Sequence, residues 1–376
     1  MNAGTMKLLA TRTPLLVPSL LLLMPWSHRL AGSTEDTIQL VYDVPVNGSV
    51  ELLLRQRVLS TLKSSTWYPV VDGEIVEEDE FTFDMEEEST VNLDITLTDR
   101  FGALDDDGAL ASLERTFESL DAEVHSTSTS DGEETSEEPE FVSPLIGEVV
   151  LFERDARDGS YRASFAKGDE RESSGFDEAL LASQRIDAFG DWYLPEADES
   201  TVEVGATWDA GVDAWHRTLD VGGDFWIGPS TTEPPSEEAV EARRIGRAQE
   251  RSGGDGEVLC TYKGEREVDG RMFAVIQVSV DVAVKSATSM ETTAESDGGE
   301  EKVTTTISAE LHWTGEGEFL WDFETHAPSS LSLEMHLVTT DETIAVPSAD
   351  ANGDGNAWRT ERHSDATILY TFKRNP

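Results

Sequence analysis

Alternation of apolar and polar positions dominates this chain. Residues 89–98 (STVNLDITLT) place Val91, Leu93, Ile95 and Leu97 on one side and polar residues on the other. That period of two predicts a half-buried strand. Residues 50–62 are rich in aliphatics, and 303–313 and 331–339 read as strands as well. Residues 273–284 alternate through Phe273, Val275 and Gln277, then through Val278, Val280, Val282 and Val284; the change of phase near Gln277 predicts a bulge. Asp269-Gly270 lies between two such runs, a strong hairpin signal, and Asp72-Gly73 and Asp158-Gly159 are weaker copies.

Helical spacing occurs in three places. Residues 108–122 carry Leu110, Leu113, Phe117 and Leu120, and 176–186 carry Phe176, Leu180 and Ile186. Residues 236–251 have the clearest ends: Ser236 as cap, Glu237 and Glu238 in the first turn, Gly253-Gly254 beyond the last. This third segment also bears a stripe of Arg243, Arg247 and Arg251, suited to docking on the protein's own acidic sheet or to an anionic partner. The pattern as a whole predicts a mainly β protein. Its antiparallel sheets, of sandwich or curved half-barrel type, form two domains with a few short helices.

The first 33 residues read as a signal peptide. Lys7 and Arg12 precede an apolar run from 15 to 26, and Ala31-Gly32-Ser33 supplies small residues for cleavage. The run is interrupted by Pro18 and Pro25 and is shorter than the about 20 residues a membrane helix needs. No later segment is apolar enough to span. About 340 residues then remain, more than one typical domain. They divide into 34–200 and 201–376, the second containing the 236–251 helix. Residues 126–140 (STSTSDGEETSEEPE) have no aliphatic or aromatic side chain and predict a disordered acidic loop or linker, with 294–301 a shorter loop of the same type.

The formal net charge is −48, from 76 acids against 28 Lys and Arg. Such a surface repels nucleic acid and anionic lipid, and attracts cations or a basic or cell-envelope partner. It also suits salty surroundings, where screening cuts repulsion to about 8 Å or less. Cys260 is the single cysteine, so no internal disulfide forms; it sits in an apparent strand as a structural thiol.

Motifs of catalysis are missing. There is no HExxH, no GxSxG elbow and no phosphate-cradling or dinucleotide glycine loop. Six aromatics within 192–226 (Trp192, Tyr193, Trp208, Trp215, Phe225, Trp226) read as a core plug or as a carbohydrate platform. Residues 350–361 alone spell a ligand set. Asp350, Asn352 and Asp354 supply side-chain oxygens, Asn356 a backbone carbonyl and Glu361 a bidentate carboxylate, which makes calcium the one cofactor suggested. The flanks (343–347 and 367–372) are extended where an EF-hand has helices, so the loop reads as a calcium-stapled hairpin or a plain polar turn.

From 141 to about 345 the order of motifs resembles a family of uncharacterised secreted bacterial β-rich proteins. The shared features are Ser143-Pro144, Leu194-Pro195 followed by Val202-Glu-Val-Gly-Ala-Thr-Trp208, Val221-Gly-Gly-Asp-Phe225, Val268-Asp-Gly270 and Gly315-Glu-Gly-Glu-Phe-Leu-Trp321. The resemblance implies a β-rich fold and export, and transfers no catalytic residue. The sequence therefore favours an exported, noncatalytic binding or structural module of the periplasm or cell surface. Its rivals are a secreted hydrolase with a site assembled in space and a carrier that holds lipid or another hydrophobe on a curved sheet.

Overall fold

A computed structural model describes residues 37–229, 254–347 and 357–375, apart from 41, 44, 72–73, 76–80, 84, 107, 131–132, 139, 167–174, 187–191, 196–200, 220 and 297–298. The expected signal segment, the helix expected over 236–251 with its arginine stripe, and residues 350–356 lie outside the described residues.

In chain order the elements are β1 (Thr37–Gln39), β2 (Ser49–Val71), β3 (Glu74–Ile75), β4 (Phe81–Phe83), β5 (Met85–Phe101), β6 (Ser112–Ser130), β7 (Glu133–Glu137), β8 (Phe141–Val142), β9 (Val149–Arg154), β10 (Tyr161–Phe165), α1 (Gly175–Ala182), β11 (Thr201–Glu203), β12 (Thr207–Asp209), α2 (Gly211–Leu219), β13 (Gly228–Pro229), β14 (Gly254–Val268), β15 (Arg271–Ser296), β16 (Gly299–Asp322), β17 (Ala327–Pro347) and β18 (Ala357–Asn375). Fourteen of the strands form one antiparallel sheet, ordered β10-β9-β6-β5-β2-β18-β17-β16-β15-β14-β12, with β3, β4 and β7 paired beside this path. β1 pairs with β11 and β8 with β13 in two small ribbons. The protein is thus mainly β, as the alternation predicts. Strands before and after residue 200 make up two halves of the large sheet. These halves meet where β2 pairs with β18, and residues 37–376 form one compact unit.

Each half is built from hairpins whose turns follow from sequence. Between β14 and β15, Asp269 and Gly270 both take positive φ (53° and 80°), as a tight two-residue hairpin requires. β15 itself is regular against β16 through the region of Gln277. The bulge expected there falls instead in its neighbour β14, at Lys263, where the register steps from Tyr262 to Gly264.

Three expectations of element type are overturned; one is the 294–301 loop, where 294–296 and 299–301 are instead the paired ends of β15 and β16, with Ala294 opposite Glu301. Residues 108–122 are no helix; most of them belong to β6. Leu113, Arg115 and Phe117 face the core, then the register against β5 slips by one at Glu118, and Leu120, Ala122 and Val124 carry the face onward. The extra residue converts a period of two into spacings of four and three, which mimic a helix. Residues 126–140 are no disordered linker either. β6 continues to Ser130, paired with β5 on one side and with β7 on the other. Ladder hydrogen bonds form without apolar side chains, so composition alone misjudges such a strand.

One face of the sheet is buried. On β15 the side chains of Ile276, Val278, Val280, Val282 and Val284 are all buried, and Leu331, Leu333, Met335, Ile368, Tyr370 and Phe372 continue the layer on β17 and β18. Residues 175–227 cover this face. The Phe117 ring on β6 meets Phe225 at 6.0 Å, and Trp313 on β16 meets Trp215 of α2 at 5.4 Å. β6 and β16 stand five strands apart, about 24 Å on a flat sheet at about 4.8 Å per strand. The segment from Trp215 to Phe225 thus reaches across these strands.

Neighbouring strands approach closely at Gly315 and Gly317. A Cβ at Gly317 would stand 2.1 Å from the Ser332 carbonyl oxygen of β17. Gly317→Ala is therefore expected to cost about 1–3 kcal/mol, the usual penalty of overpacking, as measured by urea unfolding. Beyond the covered region the alternation fades. Leu59, Ile307 and Val338 are exposed.

Candidate functional site

The sheet and its cover do not meet everywhere. Leu54 of β2, Val91, Leu93 and Ile95 of β5, and Ala122 and Val124 of β6 line one wall of a cavity of about 320 Å³. The opposite wall is Phe141, Leu219, Val221, Phe225 and Ile227. The apolar face of 89–98, read directly from its alternation, thus serves the cavity as well as the core. Polar residues also line it: Gln56, Tyr370, Asp224, and Arg55, which pairs with Asp94 at the surface. Small-ligand sites span about 300–1,000 Å³ and are mostly apolar with a few placed polar groups. This cavity has that character and lies at the small end of the range.

The cover is held by buried polar contacts. Asp99 and Arg115 stand opposite each other on β5 and β6. Arg115 Nε and Nη2 donate to the two Asp99 oxygens at 2.7 and 2.8 Å, and both side chains are inaccessible to solvent. Arg115 Nη1 then reaches across to the carbonyls of Arg185 at 2.7 Å and Gly222 at 3.0 Å. Gly222 has φ +78°, and a Cβ there would lie 2.8 Å from Arg115 Nη1. The Val221–Phe225 motif is thus a docking turn for the guanidinium. Gln184 Nε2 donates to the Asp224 carbonyl at 2.8 Å, and the Ser143 hydroxyl donates to that of Phe225. Together these bonds fix the cavity's outer wall.

The six aromatics of 192–226 belong to the core. Trp192, Tyr193 and Trp215 are buried, and Trp208, Phe225 and Trp226 pack against the core. Tyr193 bonds Thr218 at 2.5 Å, and Trp208 Nε1 donates to the Tyr193 carbonyl at 3.2 Å. They form no carbohydrate platform. α2, which no helical signal announced, is part of this plug: Ala214, Trp215 and Thr218 face inward.

Of the predicted calcium ligands, Asp350, Asn352, Asp354 and Asn356 lie outside the described residues. Glu361 lies within β18, opposite Glu342, and its carboxylate accepts a hydrogen bond from Arg359, which also contacts Glu342. Among the described residues no group of three His, Cys, Asp or Glu is placed to hold a metal. Cys260 is buried on β14, and burial, with Asp209 nearby, pushes its thiol pKa up, so it rests as an inert thiol. Asp341 is a carboxyl pushed up by burial, opposed by Arg362 and His363, but it stands on β17 away from the cavity. His312 pairs with Asp281 at 2.8 Å on the outer surface.

No helix among the described residues is long and apolar enough to cross a membrane. No family model matches the chain, and no curated protein does. Among solved structures, Pseudomonas aeruginosa OccK7 (OpdD) aligns over 87% of this chain and 99% of its own, at 6% identity and a TM-score of 0.17. OccK9 (OpdG) of the same organism aligns over 87% and 98%, at 10% identity and 0.15, and OccK11 (OpdR) over 85% and 96%, at 8% identity and 0.14. Scores this low establish no shared fold, and the reading of this chain rests on its own geometry.

Proposed function

We propose that this protein is an exported, noncatalytic binding module that holds a small hydrophobic ligand against the buried face of its sheet. The observation that carries this reading is the apolar cavity between β2, β5 and β6 and the 219–227 segment. Its walls are fixed by the Arg115 and Gln184 contacts, so the space is preformed and binding need not order the protein first. The hydrolase alternative calls for a carboxylate of raised pKa inside a pocket, and the raised Asp341 stands elsewhere. Export is supported by the leader pattern of residues 1–33.

The test is titration with the neutral fluorescent probe N-phenyl-1-naphthylamine. Saturable one-site binding is expected. Ala122→Phe, which fills the cavity from the β6 side, should weaken it at least tenfold while the thermal midpoint stays within a few degrees of the parent. A wild-type protein without saturable binding would overturn the reading.

A further inference from the structure

A second pocket, at the other end of the same face, has the opposite chemistry. It holds about 110 Å³ and is bounded by Arg271 of β15, Asp322 of β16, Arg374 of β18, and by Ser49, Thr325 and Ser329. Asp322 is buried and fully used: Oδ1 accepts from the Glu324 amide at 2.8 Å, and Oδ2 accepts from Arg271. The next nearest buried carboxylate, Asp99, is taken bidentately by Arg115. Arg271 is thus engaged by Asp322 and, through Nε at 3.6 Å, by the exposed Glu324, whereas Arg374 forms no ion pair among the described residues and has Tyr42 as its side-chain hydrogen-bond partner.

The unused donors point the same way. Nη1 of Arg374 is buried and has no hydrogen-bond partner among the described residues, and Nε of Arg271 has only the Glu324 carboxylate at 3.6 Å, beyond hydrogen-bond distance. A buried unsatisfied donor on a charged group costs more than a neutral one, and burial lowers the pKa of Arg374 despite support from Tyr42, Asp99 and Asp322.

We propose that this pocket binds a phosphate-sized oxyanion, held by Arg374 and Arg271 with the hydroxyls of Ser49, Thr325 and Ser329 completing the shell. The lining comes from β2, β15, β17, β18 and the β16–β17 turn, a spread that suits a tetrahedral anion better than a planar carboxylate. Its source is free phosphate or a phosphorylated headgroup, which share this chemistry.

The experiment is isothermal titration of the full chain with inorganic phosphate, in chloride buffer at an ionic strength of about 0.15 M, where the surface acids are screened beyond about 8 Å. Saturable one-to-one binding is expected, with acetate at least tenfold weaker and sn-glycerol 3-phosphate distinguishing a headgroup source if it binds tighter than phosphate. Arg374→Met should weaken phosphate binding at least tenfold, and Arg57→Met, at an exposed position, should leave it unchanged. Should Arg374→Met fail to fold, Ser329→Asp provides the second arm. A carboxylate supplied from within should abolish phosphate binding and raise the thermal midpoint. No binding by the parent, acetate binding as tightly as phosphate, or unchanged binding in both pocket variants would overturn the assignment.

Discussion

Replacing Arg115 with methionine is expected to cost about 3–5 kcal/mol of folding free energy, the range for breaking a buried ion pair by removing one partner. Asp99 would be left as a buried, uncompensated carboxylate, and the carbonyls of Arg185 and Gly222 would lose their donor. The cover segment would loosen as well, so cavity binding should fall with stability. The double variant Arg115→Met/Asp99→Leu should be more stable than Arg115→Met alone, because it removes the orphaned charge. Urea unfolding of both singles and the double measures the coupling. A loss below about 1 kcal/mol in Arg115→Met would show that the guanidinium does not staple the sheet to its cover.

Alkaline pH should destabilise the fold strongly. Burial raises the pKa values of Cys260 and Tyr193 and pushes Tyr262 up to about 12. In the unfolded chain such groups titrate near about 8.5 for cysteine and about 10 for tyrosine. The folded state then keeps protons that the unfolded state has released, so stability is fully present below these unfolded values and is lost as pH rises toward the folded ones. The unfolding free energy should be flat from pH 7 to 8, decline from about 9, and fall more steeply above about 10. Each fully buried group adds up to about 1.4 kcal/mol per pH unit. Urea midpoints from pH 7 to 11 check the shape. Cys260→Ala should erase the first part of the decline and leave the tyrosine part. A free energy that holds level to pH 11 would contradict the burial of these groups.

Much of the large sheet was legible because its strands alternate and its turns carry turn chemistry. The face of β5 and the Asp269-Gly270 hairpin follow directly from residue order. The failures have local causes. One extra residue at Glu118 disguised β6 as a helix and placed Arg115 on what looked like a polar face. Ladder pairing without apolar side chains disguised the β6–β7 hairpin as a linker. The candidate site was harder to read. Its walls come from β2, β5, β6 and the 219–227 segment, and no spacing in sequence links Leu54 to Phe225. The anion pocket likewise joins Arg271 to Arg374 through the order of strands in the sheet.

That order also determines how the molecule can be made. β14 to β18 follow one another as hairpins, whereas β2 finds β18 across the sequence; the side-chain bond from Asn375 to Glu51 spans 324 positions. Closing so long a loop costs about 2 kcal/mol more than closing a hairpin of a few tens of residues. High contact order slows folding toward the millisecond-to-second range. While the two halves remain apart, β2 and β18 each present an open edge, the condition in which chains recruit one another. Mutual repulsion between chains of net charge −48 opposes that encounter. The acidity of this protein thus acts during synthesis, guarding a half-built sheet until its own distant strand arrives.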